Sequence, residues 1–448
     1  MKEKWAMSNS ESNKLKTRHL TMMGLGSAIG AGLFLGVGVG IQIAGTSILL
    51  AYLVAGILVT LIMYMLGEMA SARPSLGSFS TYAGQAFGNW ARFTMGWLYW
   101  FMLIMVMGAE ITGAAAILGS WFGVAPWIPA LVAVVFFAVV NFAAVRGFGE
   151  FEFWFAIIKV GVIVAFLVLG AWLIFGPAET QTSSFAENFM PNGVPGLAAG
   201  LLAVAFAFGG IELVTIAAAE SENPAHNVAT AVRAIIFRII IFYLGSVAVI
   251  TLLLPYDNIQ DADVAAQSPF TEVLRVAEIP YAATFMELVI VVALLSAFNA
   301  QIYATSRLVF DMARDGNAPG FFKHTSKTGS PTYAVILSMI FAFASVGLQY
   351  WNPPGLLTFL FNAVGGCLLV IWIFIVTSYI KLKPSLESTE LRAPGFPWVP
   401  YAVLVGLGLI VLLMLFDASA RGQLVAVAVI AGGLTIVSLL MPNSRAKV

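Results

Sequence analysis

Long apolar stretches recur along the whole chain and are separated by short polar segments. Crossing a bilayer as a helix takes roughly 20 predominantly apolar residues, and twelve stretches meet that length. Numbered as spans 1 to 12, they cover about residues 21–40, 45–66, 93–119, 126–145, 153–176, 197–218, 233–254, 281–309, 332–350, 355–380, 398–416 and 422–441. The pattern predicts an all-α integral membrane protein with 12 transmembrane helices.

The positively charged residues indicate how the chain is oriented in the membrane. Segment 1–19 is polar and basic, and no cleavage-site pattern follows span 1, so we expect a cytoplasmic N-terminal tail rather than a cleaved signal peptide. With that tail inside, 19 of the 22 Lys and Arg residues fall in cytoplasmic segments or span ends, Arg238 among them. Lys and Arg favour the cytoplasmic side. Because twelve is even, we expect the tail 442–448 in the cytoplasm as well.

Composition supports a membrane protein and excludes several other classes. Of the 448 residues, 60% are hydrophobic and only 10% are charged, with a mean hydropathy of +0.93, whereas soluble domains carry about 25% charged residues. The balance of 22 basic and 22 acidic residues gives no indication of a nucleic-acid partner. The three histidines are scattered, so we expect no metal site and no enzyme.

Glycines interrupt span 1 and span 6 at matching positions. Span 1 contains SAIGAG, with Gly30 and Gly32, and span 6, five spans later, contains AFAFGG, with Gly209 and Gly210. Interrupted helices in corresponding positions of two halves indicate a transporter site built by inverted repeats. Five is odd, so the two halves run in opposite directions. The alternative interpretation is close helix packing through small residues.

This repeat predicts the organisation of the chain. A first inverted repeat occupies residues 20–176 with spans 1–5, a second occupies 197–381 with spans 6–10, and spans 11 and 12 follow in 397–441. Backbone groups freed by a break within the bilayer cannot stay unpaired, so each break must face protein, water or a ligand.

The two breaks offer complementary backbone groups. After the first break a half-helix begins near Ala31 and Gly32, where N–H groups and the positive dipole end suit a carboxylate. At the second break, carbonyl groups that end a half-helix near Phe206 suit an ammonium group. A ligand that satisfies both breaks is a zwitterion, which predicts an α-amino acid.

Ionisable residues inside the spans are candidates for function. Lys159 in span 5 either faces the bundle and exchanges a proton or snorkels to the membrane surface. Glu110 in span 3 either lines the substrate cavity, with Met107 on the same helix face, or hydrogen-bonds a neighbouring helix. Glu212 after the second break either binds a proton or accepts from N–H groups of the loop. Glu68 near the cytoplasmic end of span 2 is interpreted as a gate or structural partner.

Several long motifs, in order, match those of a known family. They are GLGSAIGAGLFLG, YMLGEMASARPSLGSFSTYA, RGFGEFEFWFAIIKV, FMPNG, AFAFGGIELVTIAAAESENP and YATSRLVFDMARDGNAP. From about residue 16 to span 12 the chain resembles the amino acid transporter family of the APC superfamily. Within it, GWLYWFMLIMVMGAEITGAAAI and LLSAFNAQIYATSRLVF are similar to bacterial aromatic amino acid permeases, especially actinobacterial ones. GABA permeases share EFEFW and ELVTIAAAES.

The resemblance implies a LeuT-like fold of five-plus-five inverted repeats with broken helices 1 and 6. It implies a multi-pass secondary transporter of the bacterial plasma membrane that imports Phe, Tyr and Trp by proton symport and alternating access. GABA or another neutral amino acid is the alternative substrate. The expected partners are the amino acid, H⁺ and the lipid bilayer, and the proton gradient replaces any cofactor.

The resemblance also implies roles for individual residues. The carboxylate would meet the backbone at Ala31 and Gly32, and the amino group would meet the carbonyls of Ala28, Phe206 and Gly209. The residues implied to bind substrate are Ala28, Ile29, Gly30, Ala31, Gly32, Met107, Glu110, Phe206, Phe208 and Gly209, and those implied in proton coupling are Lys159, Glu212 and Glu110.

Side chains of these residues would contact the rest of the substrate. Met107 and Glu110 would face its side chain, and Phe206 and Phe208 would stack on it or gate it. Lys159 matches a lysine that occupies the place of a sodium ion in related transporters. Ala31 departs from the family pattern, because many relatives have Thr or Ser at this position, and leaves backbone donors alone to bind the carboxylate.

Overall fold

The computed structural model of the chain describes residues 29–75, 78–143, 148–176, 188–212, 215, 223–260, 267–326, 330–387 and 390–441. Within these ranges the regular secondary structure is helical. The predicted tails 1–19 and 442–448 lie outside the described residues, as do the first residues of span 1 and most of span 6 after Glu212.

Every predicted span has a helical counterpart in the described part of the chain. In order, the helices are Ala31–Phe34 with Gly36–Ala44, Ile48–Ala72, Asn89–Phe122, Trp127–Ala143, Phe148–Phe175, Gly193–Ala207, Pro224–Arg238 with Gly245–Leu253, Ala282–Arg314, Thr332–Trp351, Leu356–Leu382, Trp398–Met414 and Ala418–Leu440. Among the described residues, eight stretches are long and apolar enough to cross a membrane, and the first of these, of 42 residues, contains the second half of span 1 and span 2. Spans 4, 6 and 11 correspond to shorter apolar helices.

Several helices continue past the predicted apolar boundaries. The helix of span 3 has 34 residues, Asn89–Phe122, and that of span 8 has 33, Ala282–Arg314. A helix of the first length measures about 51 Å, whereas the hydrocarbon layer is about 30 Å thick. These helices therefore project from the bilayer or tilt within it. Hydropathy detects only their apolar part, which explains why the prediction was shorter.

Spans 3 and 10 lie at the centre of the bundle. Span 3 packs against spans 8, 9, 10 and 12 and against the start of the helix in span 1. Most residues of spans 3 and 10 are buried, whereas few residues of span 12 are buried. Large apolar side chains on the outer surface, such as Val132, Phe136 and Val168, suit contact with lipid.

Small residues let span 6 approach spans 1 and 10 closely. A Cβ added to Gly32 would lie 2.8 Å from the Cα of Ala207, and one added to Gly365 would lie 2.5 Å from the backbone oxygen of Leu202. Real Cβ atoms do not come this close to backbone. Glycine at these two positions therefore allows the three helices to pack at their observed separation.

The connection between spans 7 and 8 packs on the end of span 1. The hydroxyl of Ser268 donates to the carbonyl of Phe34 at 2.5 Å. The ring of Phe270 contacts that of Phe34, with centroids 5.2 Å apart. Two more hydrogen bonds join this connection to Gln42. Its side-chain amide donates to the Ile259 carbonyl at 2.7 Å, and its backbone carbonyl accepts from the Tyr256 hydroxyl at 3.1 Å. The connection thus covers the second half of span 1.

The close approach at Gly365 predicts a measurable effect on stability. Gly365→Ala would press a methyl group against the Leu202 backbone, so we expect the thermal midpoint of the detergent-solubilised protein to fall, at a cost of roughly 1–3 kcal/mol. Gly408→Ala in span 11 is the matched control, because a Cβ there has no neighbouring atom within 4 Å. Equal midpoints for the two variants would contradict this account of the packing.

Candidate functional site

A helix begins at Ala31, where the sequence predicts the second half-helix of span 1. Gly30 is extended, with φ −152° and ψ −145°, and it precedes the helical residues Ala31–Phe34. The N–H groups of Leu33 and Phe34 donate to the Gly30 carbonyl at 3.2 and 3.1 Å. The first N–H groups of a helix have no carbonyl partner inside it, so the N–H of Ala31 needs a partner from elsewhere.

That partner is the carboxylate of Glu110 in span 3. The Ala31 nitrogen lies 3.1 Å from Oε1 and 3.0 Å from Oε2 of Glu110. Glu110 is only 3% exposed. A negative charge at a helix N-terminus is electrostatically favourable. A Cβ on Gly30 would overlap this carboxylate, so glycine at position 30 makes room for Glu110. The acid therefore binds the same backbone group that the sequence predicts for a substrate carboxylate.

The helix of span 6 ends at Ala207 and is followed by a tight turn. The N–H of Gly209 donates to the carbonyl of Phe206 at 2.9 Å. Gly210 has φ +87°, a left-handed conformation that favours glycine. The Phe206 carbonyl, a predicted ligand of the amino group, therefore already accepts one hydrogen bond, and a carbonyl oxygen has a second lone pair.

The two breaks lie next to each other. Besides its approach to Ala207, a Cβ on Gly32 would lie 3.3 Å from the ring of Phe206. The start of the helix in span 1 and the end of the helix in span 6 are therefore in direct contact. This arrangement brings a backbone donor and backbone acceptors to one place in the bundle.

Aromatic rings surround the end of span 6. Phe206 stacks on Phe361 of span 10, with centroids 4.1 Å apart and an interplanar angle of 27°. Phe208 is fully buried and contacts Tyr243 and Tyr52, with centroid distances of 5.2 and 5.8 Å. The sequence analysis did not single out Phe361, Tyr52 or Tyr243, because an aromatic residue within an apolar span has no distinguishing local pattern.

Lys159 of span 5 lies inside the bundle. Lys159 is 1% exposed, and its ammonium group donates to the hydroxyl of Ser296 in span 8 at 3.2 Å. It also interacts electrostatically with Glu110. This position agrees with the bundle-facing alternative for Lys159 and not with snorkelling to the membrane surface. Its part in proton transfer stays a prediction.

Glu212 belongs to a second buried polar cluster, which includes two residues that sequence reasoning missed. The carboxylate accepts from the N–H of Gly210 at 3.3 Å and interacts electrostatically with Tyr99 and Arg238. Arg238, expected at a cytoplasmic span end, is 0% exposed. Its burial was not predicted, because the positive-inside rule considers position along the chain and not an acidic partner. Glu212, an acid in the preceding span, was the available signal for a buried partner.

The remaining predicted residues have simpler surroundings. Ile29 and Met107 are fully buried in the core. Ala28 lies outside the described residues. Where the structure describes the chain, no group of three or more His, Cys, Asp or Glu residues is arranged to hold a metal ion.

Glu68 joins three segments at one end of the bundle. Its carboxylate accepts from the hydroxyl of Tyr379 at 2.8 Å and from the N–H of Ala393 at 2.9 Å, and it forms an ion pair with Lys383. These partners lie in span 10 and in the connection to span 11. None of them belongs to the predicted substrate site, so Glu68 has the surroundings of a structural or gating residue.

A family model described as amino acid permease matches residues 19–442. The chain belongs to the amino acid permease family. The permease is 63% identical over 440 residues to the aromatic amino acid transport protein AroP of Corynebacterium glutamicum, a match that covers 96% of this chain and 95% of that protein. It is 37% identical over 444 residues to the gamma-aminobutyric acid permease of Bacillus subtilis, covering 96% and 94%.

A solved structure shares the fold of the permease. It is a mutant manganese transporter of Eremococcus coleocola, with a TM-score of 0.56 and 16% identity over 94% of this chain and 93% of that one. At this identity the likeness concerns the fold alone. Together with the family, it confirms the predicted fold class of twelve helices with a LeuT-like repeat. Membership of a transporter family also supports the expectation that the chain is not an enzyme.

Gly30→Ala is predicted to act through Glu110. The added methyl group would overlap the Glu110 carboxylate and separate it from the Ala31 N–H. We expect a lower thermal midpoint, since a hydrogen bond to a charged group is worth about 1.5–3 kcal/mol. In a Glu110→Ala background the same methyl group should lower the thermal midpoint much less.

The control for this cycle is Gly347→Ala, where an added Cβ meets no atom within 4 Å. Because alanine is favoured over glycine within a helix, this change should not lower the midpoint in either background. Additive losses from Gly30→Ala and Glu110→Ala would show that the two positions do not act through a shared contact.

Proposed function

We propose that the permease is a proton-coupled secondary transporter that imports the aromatic amino acids Phe, Tyr and Trp across the bacterial plasma membrane. The main support for this proposal is the contact between the two helix breaks, in which Gly32 packs against Phe206 and Ala207. One break presents a backbone donor and the other presents carbonyl groups. Discontinuous helices of transporters bind substrate with such half-helix ends.

The proposed binding mode uses both breaks for the backbone of the amino acid. The carboxylate takes the N–H groups of Ala31 and Gly32, with the turn shaped by Ile29 and Gly30. The ammonium group takes carbonyl groups at the end of span 6, for which the second lone pair of Phe206 is suited. A zwitterion thus neutralises both half-helix dipoles at once.

Two observations support an aromatic side chain. The relative with 63% identity is named as an aromatic amino acid transport protein, and the GABA permease has 37% identity over a similar length. The site is also surrounded by rings, with Phe206 stacked on Phe361 and with Phe208 between Tyr52 and Tyr243. Aromatic pairs favour such stacked and edge-to-face contacts.

Buried ionisable groups support coupling to protons. Lys159, Glu110 and Glu212 are each at most 3% exposed and lie in spans 5, 3 and 6. Ionisable residues inside transmembrane bundles commonly form proton relays. In this proposal Lys159 supplies the positive charge that a sodium ion provides in other transporters, and the proton gradient is the energy source without a further cofactor. Both chain termini are proposed to lie in the cytoplasm.

Gamma-aminobutyrate is the second candidate substrate. Its support is the 37% identity to the Bacillus subtilis permease. In this compound the ammonium and carboxylate groups are separated by three carbons, so it needs a wider separation between donor and acceptor groups than an α-amino acid needs. The close contact between the two breaks favours the α-amino acid.

Competition for uptake distinguishes these substrates. Cells that express the permease should accumulate labelled phenylalanine, and unlabelled tyrosine or tryptophan should reduce this uptake, whereas GABA or alanine should not. Cells with an empty vector provide the background. Uptake that only GABA or alanine reduces would refute the aromatic substrate.

Lys159→Ala is predicted to separate binding from coupling. Without the buried ammonium group, phenylalanine binding should persist, but accumulation driven by a pH gradient in proteoliposomes should be abolished. Lys323→Ala is the matched control, because Lys323 is exposed in a connection away from the breaks. Undiminished accumulation against a gradient by Lys159→Ala would exclude the proposed coupling by this lysine.

A further inference from the structure

The carboxylate of Glu110 and that of a bound amino acid require the same backbone donor. Both oxygens of Glu110 lie within 3.1 Å of the Ala31 nitrogen, which is the donor proposed for the substrate. A single N–H group cannot serve two carboxylates that approach it from the same side. A substrate carboxylate that takes the Ala31 N–H would therefore have to displace Glu110 from it.

We propose that Glu110 is an internal competitor of the substrate, which leaves the Ala31 N–H when the substrate carboxylate binds and takes up a proton as it leaves. The inference rests on the proposed function, because it needs a substrate with a carboxylate at the break of span 1. It adds the step by which occupation of the site is converted into binding of a proton.

Electrostatics explain why displacement favours protonation. At the Ala31 N–H, the Glu110 carboxylate has a hydrogen-bond donor and the positive end of a helix dipole. Once displaced, an ionised carboxylate in the buried interior would lack this donor and would face the negative charge of the substrate. An unpaired buried charge is costly. Conversion of –COO⁻ to –COOH, with a proton taken up from the bulk solution and its buffer, removes that charge.

Two groups act on Glu110 from the neighbouring helices. Among the described residues they are the ammonium group of Lys159 in span 5 and the phenol of Tyr243 in span 7. Span 1 contributes the N–H of Ala31, and Ser296 of span 8 binds Lys159. The positive charge of Lys159 favours the ionised carboxylate, so the loss of the Ala31 contact must drive the uptake of a proton.

Reciprocity is the consequence of this competition. If substrate binding favours protonation of Glu110, then protonation must favour substrate binding by the same factor. The side of the membrane with more protons would therefore load the site more readily. This linkage requires the titratable acid at position 110, and an amide there would retain an acceptor oxygen but lose the coupling.

Calorimetric titration of the full-length permease in detergent tests the inference. Phenylalanine is titrated into the protein in buffers that differ in ionisation enthalpy, which gives the number of protons taken up per bound ligand. We expect net proton uptake by the wild type and none by Glu110→Gln. Glu390→Gln is the matched control, because Glu390 is exposed and contacts His226 in a connection outside the site; it should retain the uptake.

A second ligand separates competition from a structural effect. Phenylethylamine carries the ring and the ammonium group but no carboxylate, so its binding should cause no proton uptake. Glu110→Ala, which removes the competitor, should bind phenylalanine roughly tenfold more tightly or better, as expected for a hydrogen bond to a charged group, and phenylethylamine with unchanged affinity. A merely structural Glu110 would shift both affinities together.

The outcomes separate the two proposals. Proton uptake that persists in Glu110→Gln, or that is absent from the wild type when phenylalanine binds, overturns the competition. Absence of phenylalanine binding to the wild type overturns the aromatic substrate instead. Gamma-aminobutyrate, which also carries a carboxylate, then replaces phenylalanine in the same titration and decides whether Glu110 competes.

Discussion

A backbone N–H group at membrane depth must be hydrogen-bonded, and the structure of the permease depends on the group that accepts from the Ala31 N–H. Hydrocarbon offers no hydrogen bonds, so a helix that starts inside the bilayer is tolerated only where protein or water satisfies its end. Glu110 on central span 3 meets that requirement. The absence of a side chain at Gly30 lets the carboxylate reach the break. Gly32 and Gly365 then allow spans 1 and 10 to pack closely against span 6.

The buried ionisable residues near the two breaks form two groups that meet at one tyrosine. Glu110 and Lys159 interact near the break of span 1, and Glu212 and Arg238 interact near the break of span 6. Tyr243 interacts electrostatically with both Glu110 and Arg238. It lies in the π-helical segment Ile239–Leu244 of span 7, and such local widening of a helix is frequent at functional sites. A change of charge at either break therefore changes the electrostatic environment of the Tyr243 phenol.

The sequence was sufficient for the helices and for the position of the breaks, since hydropathy and glycine placement are local properties. It predicted twelve spans and a helix start near Ala31, and both agree with the structure. It did not reveal that Glu110 pairs with that N–H, because the two residues are 79 positions apart. The stacking of Phe361 on Phe206 and the burial of Arg238 were missed for the same reason. A single sequence contains no information on which distant residues meet.

The connection between spans 7 and 8 has a mechanical consequence for alternating access. Ser268 holds the carbonyl of Phe34, while Tyr256 and the Ile259 carbonyl hold Gln42. These bonds attach the connection to both ends of the second half-helix of span 1. These bonds couple any movement of that half-helix to movement of the connection, and separating the two requires the three hydrogen bonds to break. Exposure of the site at this end would consequently involve the connection as well as the half-helix.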